Sequence, residues 1–479
     1  MDAVARCLRP RTSSGIAADL ATPTCMLPCT PRRLCSSQPE TSGPTWRGSW
    51  SFTSIVEEPL SAVDETDKWL VLTTEFGRGL GRRITAAPAE SSTMNQDATI
   101  LSLFAGIGGF EQAFRRAGYS GDIVAYENWS SARAVLEKRF PSSQLYSDVK
   151  HLPATLHDAE ILTAGFPCTD LSPAGRLAGI EGDASGLILG VLQEIQRRQP
   201  EWVLLENVPN MLRLKGGAAM TIIGSMLSAA GYQWCYRILD AQHFGLAQRR
   251  KRVFLLASRH YDPVKVLFRD YANTSTSECR SVRLRVKANG FYWTEGNRGV
   301  GWGEGVVPTI KGSTTAGIPS APAVWVHESP IESRFRTPSI ESLESLQGFR
   351  PGWTNTAPPR DRWKLVGNAV AVPAVEWIAA GLGQYRDLPE VNLPSSLDAK
   401  YGWGTAGLSN DGSVRSIRAT EGPLTGALRR TFTLQRLLAE RGSNALSVKA
   451  ALGFSTRLRK SSLRYDHSFM RDLIEYASL

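Results

Sequence analysis

Between residues 99 and 257, short apolar runs alternate with longer stretches whose apolar positions recur at helical spacing. Runs too short for a helix and apolar throughout suit buried strands, and their alternation with amphipathic segments is the pattern of an α/β unit with a largely parallel sheet. Strands are predicted at Ile100–Phe104, Ile123–Tyr126, Ile161–Ala164, Val203–Glu206, Trp234–Leu239 and Val253–Ala257. Helices are predicted between them, at Phe110–Ala117, Ser131–Phe140, Leu187–Arg197 and Ala218–Ala230. Over 258–335 Gly, Trp, Thr and Pro replace the alternation and predict a separate, loop-rich lobe. Strand and helix texture returns at Ser339–Phe349 and Lys364–Gly381, so 336–381 is expected to rejoin the unit formed by 94–257. Residues 382–479 read as an irregular basic extension. Residues 1–93, rich in Ser, Thr, Pro, Arg and Gly without a sustained period, read as disordered. Two readings of that first segment stay open: an over-extended frame ahead of Met94, or a flexible interaction tail.

A chain of 479 residues exceeds one ordinary compact core, which agrees with a catalytic unit plus a lobe or appendages. The net charge of +10 makes a polyanion a candidate partner. From Gly381 onward there are 14 Lys or Arg against 9 Asp or Glu, so half of the excess sits in the extension. Four of the seven cysteines fall in the first 35 residues and the others are scattered, which is not a disulfide framework. Cys25, Cys29 and Cys35 contain no CxxC pair and have no histidine near them, so no metal site is expected. No run approaches the roughly 18 apolar residues of a membrane helix, and a cytoplasmic protein without a membrane partner is expected.

The chemistry-bearing positions cluster at the ends of the predicted strands. In "ILSLFAGIGGFEQAF" a strand runs into Phe104, Gly106 and Gly108 and then into a helix. Glycines at such a turn let the backbone approach a ligand beside the helix N-terminus. The dinucleotide fingerprint would require glycine at Glu111, so NAD is disfavoured. Glu127 ends the next strand, where a carboxylate can accept both hydroxyls of a ribose, and Asp148 lies past the following helix, within reach of an adenine amino group. Pro167-Cys168 leaves the third strand into a polar loop, a poor site for a buried thiol and a good one for a nucleophile. "VLLENVPNML" delivers Glu206 and Asn207 to the same edge of the sheet.

The order FxGxGG, Glu, Asp, Pro-Cys, Glu-Asn-Val, "QRRKR" and "GNAVAVP", spread from about Thr99 to Ala380, resembles the DNA cytosine-5 methyltransferase family. The resemblance implies a Rossmann-like class I methyltransferase fold, α/β with a mostly parallel twisted sheet, plus a small loop-rich target-recognition lobe at 258–335. It implies S-adenosylmethionine as cofactor, with Phe104, Gly106, Gly108, Glu127, Trp129, Asp148, Pro167 and Asn368 around it. Cys168 would be the nucleophile and Glu206 the acid at cytosine N3. Arg250 and Arg252 would hold the base and a nearby phosphate, and Gln347-Gly348-Phe349 would organise the lobe. Thr169 and Leu171 depart from the family's usual Gln and aromatic after Pro-Cys, which touches the contacts of that loop with DNA and not the nucleophile.

Chemistry explains this residue set. Carbon 5 of cytosine is a weak nucleophile until a thiolate adds at carbon 6, and the charge pushed into the ring must be met at N3 and the carbonyl oxygen. The base must also leave the duplex stack to reach the thiol. Expected partners are double-stranded DNA and, as a candidate, a cognate restriction endonuclease, with the chain itself a monomer. Two rivals are an RNA cytosine-5 methyltransferase and a catalytically silent DNA-binding regulator. Phe291, Tyr292, Trp293 and Trp302 read as local core of the lobe in preference to base-stacking groups. Arg457, Arg459, Lys460 and Arg464 read equally as a DNA-binding stretch or as a solvated helical face.

Overall fold

The computed structural model describes residues 95–147, 159–166, 183–272, 286–294, 299–312, 322–393, 402–409, 413–424 and 432–479. Asp148, Pro167, Cys168, Thr169, Leu171, residues 1–93 and the cysteines at 25, 29 and 35 lie outside them.

The first half follows the predicted alternation. β1 (Ile100–Leu103), α1 (Gly109–Arg116), β2 (Ile123–Tyr126), α2 (Ser130–Arg139), β3 (Gln144–Tyr146) and β4 (Ile161–Gly165) lead into α3 (Asp183–Arg198) and β5 (Trp202–Asn207). Then come α4 (Ala218–Ala229), β6 (Gln233–Asp240), the two-residue β7 (Gln248–Arg249), β8 (Lys251–Ser258) and α5 (Pro263–Leu267). Each long strand alternates its side chains between two apolar layers. Trp202 and Leu204 of β5 join the layer beneath α1, whereas Val203 and Leu205 join the layer under α4. This period of two is what a pleated strand with both faces covered requires. β3 escaped the hydrophobic pattern because it is short and lies at the sheet edge, with Gln144 exposed.

β5, β4, β1, β2 and β3 run parallel in that order. Beyond β5 the sheet turns antiparallel through β8 and β6. It continues into two further strands, β14 (Ala406–Ser409) and β15 (Val414–Ile417), giving nine strands among the described residues. Part of the chain after 382 is therefore sheet. Arg237 of β6, fully buried, anchors it by pairing with Asp270 at 2.7 Å and donating to the main-chain oxygens of Thr420 and Gly422.

A second sheet occupies the lobe. It is formed by β9 (Ala288–Phe291), β10 (Gly303–Glu304), β12 (Ala323–Val326), β13 (Phe335–Pro338) and β16 (Ser443–Ala445), in the order β10-β9-β12-β13-β16. β11 (Val307–Pro308) pairs instead with β7. α6 (Ile340–Leu346), α7 (Pro359–Asn368) and α8 (Val372–Gly383) return to the first core, where Val372, Val375, Ile378 and Leu382 are buried. The last helices are α9 (Leu434–Arg441), α10 (Val448–Arg459) and α11 (His467–Tyr476), each started by a side-chain cap, from Thr433, Ser447 and Asp466 respectively. Phe291, Trp325 and Phe335 face Phe454, Leu458, Phe469 and Leu473 of α10 and α11. Ala288, Val324 and Val326, on the opposite face, belong to the layer that contains Leu434 and Leu437 of α9. The lobe sheet is thus covered on both faces by helices from the far end of the chain. No single helix among the described residues is long and apolar enough to cross a membrane.

Candidate active site

The carboxyl ends of β1, β2, β4 and β5 share one edge, and β8, running the other way, begins there. Phe104 leaves β1 with φ at 59°, a left-handed conformation uncommon for a side chain of this size, and Gly106 and Gly108 follow at 59° and 83°. At Gly108 a methyl group would also meet the Phe140 ring at 2.4 Å, whereas at Gly106 it would meet nothing within 4 Å. The turn therefore borders open space at Gly106 and packs tightly behind Gly108.

Glu127 stands at the end of β2 beside that turn. Its Oε2 accepts the Gly106 N–H and its Oε1 accepts the Trp129 N–H, both at 2.8 Å. Two main-chain donors fix the carboxylate and leave further lone pairs on both oxygens for a diol. Trp129 is half-buried, and the Lys364 ammonium lies 5.0 Å from its ring centroid. Glu111, at the start of α1, is fully buried with no hydrogen-bonding partner for either carboxyl oxygen among the described residues. Burial pushes its pKa up to about 7, against a smaller lowering by its main-chain N–H and Ser102.

On the neighbouring strand Glu206 is 8% exposed and its Oε1 lies 2.9 Å from Arg252 Nε at the start of β8. Burial lowers the Arg252 pKa, and the Glu206 charge opposes that shift. The pair is a carboxyl group held against a guanidinium in a place with little water, where each raises the cost of removing the other. Asn207 donates to the Phe166 main-chain oxygen at 3.3 Å, and its own Oδ1 accepts the Val208 N–H. It thereby ties the end of β5 to the residue that precedes Pro167-Cys168.

Arg250 was expected on the base beside Arg252, and the fold turns its side chain elsewhere. It is 2% exposed, with Nη1 donating to the Ile310 oxygen at 3.0 Å and Nη2 to the Ala369 oxygen at 2.7 Å. Both terminal nitrogens are engaged with main chain, which fits a group that positions the site. Gln248 completes the arrangement: its Nε2 donates to Leu346 and Gln347, and its Oε1 accepts the Ile310 N–H. Gln347 in turn donates to the Val366 oxygen. Asn368 is exposed at the end of α7 and so close to Gly312 that any side chain there would collide with its amide. The strap Val307–Gly312 had no signal in the sequence beyond its glycine, because its role arises from pairing with β7 across the chain. Tyr292, read as lobe core, donates its hydroxyl to the Thr309 main-chain oxygen of this strap.

A parallel sheet edge carrying a glycine turn, an anchored carboxylate and a buried carboxyl–guanidinium pair defines an α/β enzyme with a nucleotide-like cofactor site beside an acid. The pattern of C-5 cytosine-specific DNA methylases matches residues 98–288. The Type II methyltransferase M2.BsuMI of Bacillus subtilis (strain 168) is 44% identical over 297 residues, covering 60% of this chain and 75% of its own. The Type II methyltransferase M.Bsp6I of Bacillus sp. (strain RFL6) is 26% identical over 307 residues, covering 59% of this chain and 98% of its own. The chain belongs to the C-5 cytosine-specific DNA methylase family and is a DNA (cytosine-5-)-methyltransferase that uses S-adenosylmethionine as methyl donor. The open space at Gly106 and the free lone pairs of Glu127 fit the adenosyl half of that cofactor.

Proposed function

We propose that this enzyme methylates cytosine within a specific double-stranded DNA sequence through a covalent bond between Cys168 and carbon 6 of a flipped-out base. The observation that carries the reading is the buried Glu206–Arg252 pair at the mouth of the parallel edge. Phe104, Gly106, Gly108, Glu127 and Trp129 would hold S-adenosylmethionine, with Asp148, Pro167 and Asn368 completing its site, and the bound cofactor supplies an electrophilic methyl group. Attack of the Cys168 thiolate on carbon 6 pushes an electron pair toward carbon 5 and N3. Glu206 gives a proton to N3 as that charge develops, while Arg252 donates to the carbonyl oxygen. Once carbon 5 carries the methyl group, a base, water being one candidate, takes the carbon 5 proton. The electron pair restores the 5,6 double bond and expels the thiolate, and N3 returns its proton to the Glu206 carboxylate. Arg250 and Gln248 keep Arg252 in register by holding β7 to the strap, and Asn207 steadies the root of the loop that bears the nucleophile. The relatives' designation as Type II methyltransferases supports a role in restriction–modification, with a cognate endonuclease as partner; the enzyme is proposed to act as a monomer.

Fluorine at carbon 5 of the target cytosine tests the covalent step, because fluorine cannot leave as a cation. A denaturation-resistant protein–DNA adduct that needs S-adenosylmethionine is expected, and Cys168→Ser should abolish it while retaining cofactor binding. An adduct formed at the unaltered rate by Cys168→Ser, or mapped to Cys235, would overturn the assignment.

A further inference from the structure

Between Ser443 and Tyr465 the chain holds five basic residues, Lys449, Arg457, Arg459, Lys460 and Arg464, and no acidic one. All five are exposed on α10 and the turn after it. On two other helices exposed arginines are paired with a carboxylate one turn away, Arg197 with Glu194 and Arg436 with Glu440. Here the side chains of Lys449, Arg459, Lys460 and Arg464 have no hydrogen-bond or ion-pair partner among the described residues. Like charges gathered on one helix repel one another, so the arrangement is costly unless a polyanion relieves it.

The helix is firmly mounted. Phe454 and Leu458 are fully buried against the lobe sheet, and Asp472 of α11 accepts the Trp325 indole N–H at 3.1 Å and pairs with Arg334 at 3.0 Å. The fifth basic residue points back to the catalytic edge. Arg457 Nη2 donates to the Trp293 main-chain oxygen at 2.9 Å, Trp293 follows Tyr292, Tyr292 bonds Thr309, and Thr309 Oγ1 donates to the Arg249 oxygen at 2.8 Å. A crevice of about 360 Å³ lined by Trp293, Asn444, Arg362 and Trp363 opens beside this chain of contacts. The basic face therefore continues outward from the side of the lobe that touches β7, the strand that immediately precedes Arg250. Leu452, 55% exposed, is the one large apolar residue within the charged face, with Val448 at its start, too little for a protein-binding patch.

We propose that Lys449, Arg459, Lys460 and Arg464 form a phosphate-binding face that grips duplex DNA flanking the methylated sequence. The inference rests on the DNA methyltransferase reading and adds to it a surface outside the catalytic edge. A helix of 12 residues spans about 18 Å, or roughly five base pairs of backbone, which suits a contact beyond a short recognition site. Such a contact releases counterions and carries no sequence information.

The test is the salt dependence of binding to a random-sequence duplex of about 40 base pairs, measured for the unaltered enzyme and for the variant with all four residues replaced by Ala. The slope of log K against log salt should become shallower by about three to four, since each phosphate contact contributes roughly 0.9. In methyl transfer to genomic DNA the loss should fall on KM for DNA and not on kcat. A Lys449→Arg, Lys460→Arg double variant should keep the original slope, which separates charge from folding. An unchanged slope in the four-Ala variant, on DNA that the unaltered enzyme methylates, overturns this surface and leaves the face to a protein partner. No methyl incorporation by the unaltered enzyme overturns the functional reading itself.

Discussion

At the scale of single residues, the site depends on which polar groups are left wanting and which are saturated. Glu127 is saturated on one side by two main-chain donors and open on the other. Arg252 faces one carboxylate, and Arg250, two positions earlier on the chain, is spent on carbonyls. Glu111 is the exception, a buried carboxyl without a good partner whose pKa is pushed up to about 7 by burial. A raised folded-state pKa means that the native protein keeps a proton the unfolded chain has released. Stability is therefore lost as pH rises from the ordinary carboxyl value of 4.5 through about 7. Glu111→Gln removes that loss. Its advantage over the parent in urea unfolding should grow by about 2 to 3 kcal/mol between pH 5 and pH 8. An advantage that is independent of pH would mean that Glu111 is ionised in the fold or paired.

At the scale of elements, the lobe is a sheet that cannot stand without the end of the chain. Phe291, Trp325 and Phe335 would be bare on one face if α10 and α11 were absent, and β13 would lose its edge partner β16. Phe469 is the centre of this packing, with ring contacts to Phe291, Trp302, Trp325, Phe335 and Phe454. Phe469→Ala should cost about 3 to 5 kcal/mol as a cavity in an aromatic cluster. Because the damage lies in the lobe, DNA affinity should fall while S-adenosylmethionine affinity, measured by calorimetry, holds. Equal loss of both would show that the lobe and the catalytic sheet unfold as one. Phe291 was legible as core, with Trp293 and Trp302 packed partly buried against it and Tyr292 turned to the strap instead, but their partners were not, since well over a hundred residues separate them from α10 and α11.

At the scale of the molecule, two buried ties bind the late chain to the early chain. Arg237 with Asp270 holds 420–424 against the catalytic sheet, and the Leu424 N–H also donates to Asp270 at 2.8 Å. Asp270→Ala leaves a fully buried guanidinium without its counter-charge. It should destabilise the whole protein by about 3 to 5 kcal/mol in denaturant unfolding, with residual activity at low temperature. A loss under 1 kcal/mol, on the order of an exposed pair, would show that water reaches Arg237.

The local pattern determined what local physics controls. Apolar runs of strand length placed the six main strands to within a few residues, and the glycine turn, Glu127 and Glu206 were legible because strand ends at one edge of a parallel sheet converge by topology. The family resemblance rested on the same positions. Tertiary structure alone decided the rest. Whether Arg250 or Arg252 meets Glu206 depends on a strap from 307–312 that no spacing announces. The basic extension after 382 reads as irregular because its strands are short, β15 is paired only with its neighbour β14, and β14 and β16 pair with strands far earlier in the chain, β6 and β13. The hydrogen bonds and apolar faces of β14 and β16 are satisfied only across that distance, so no window of sequence contains the reason they form.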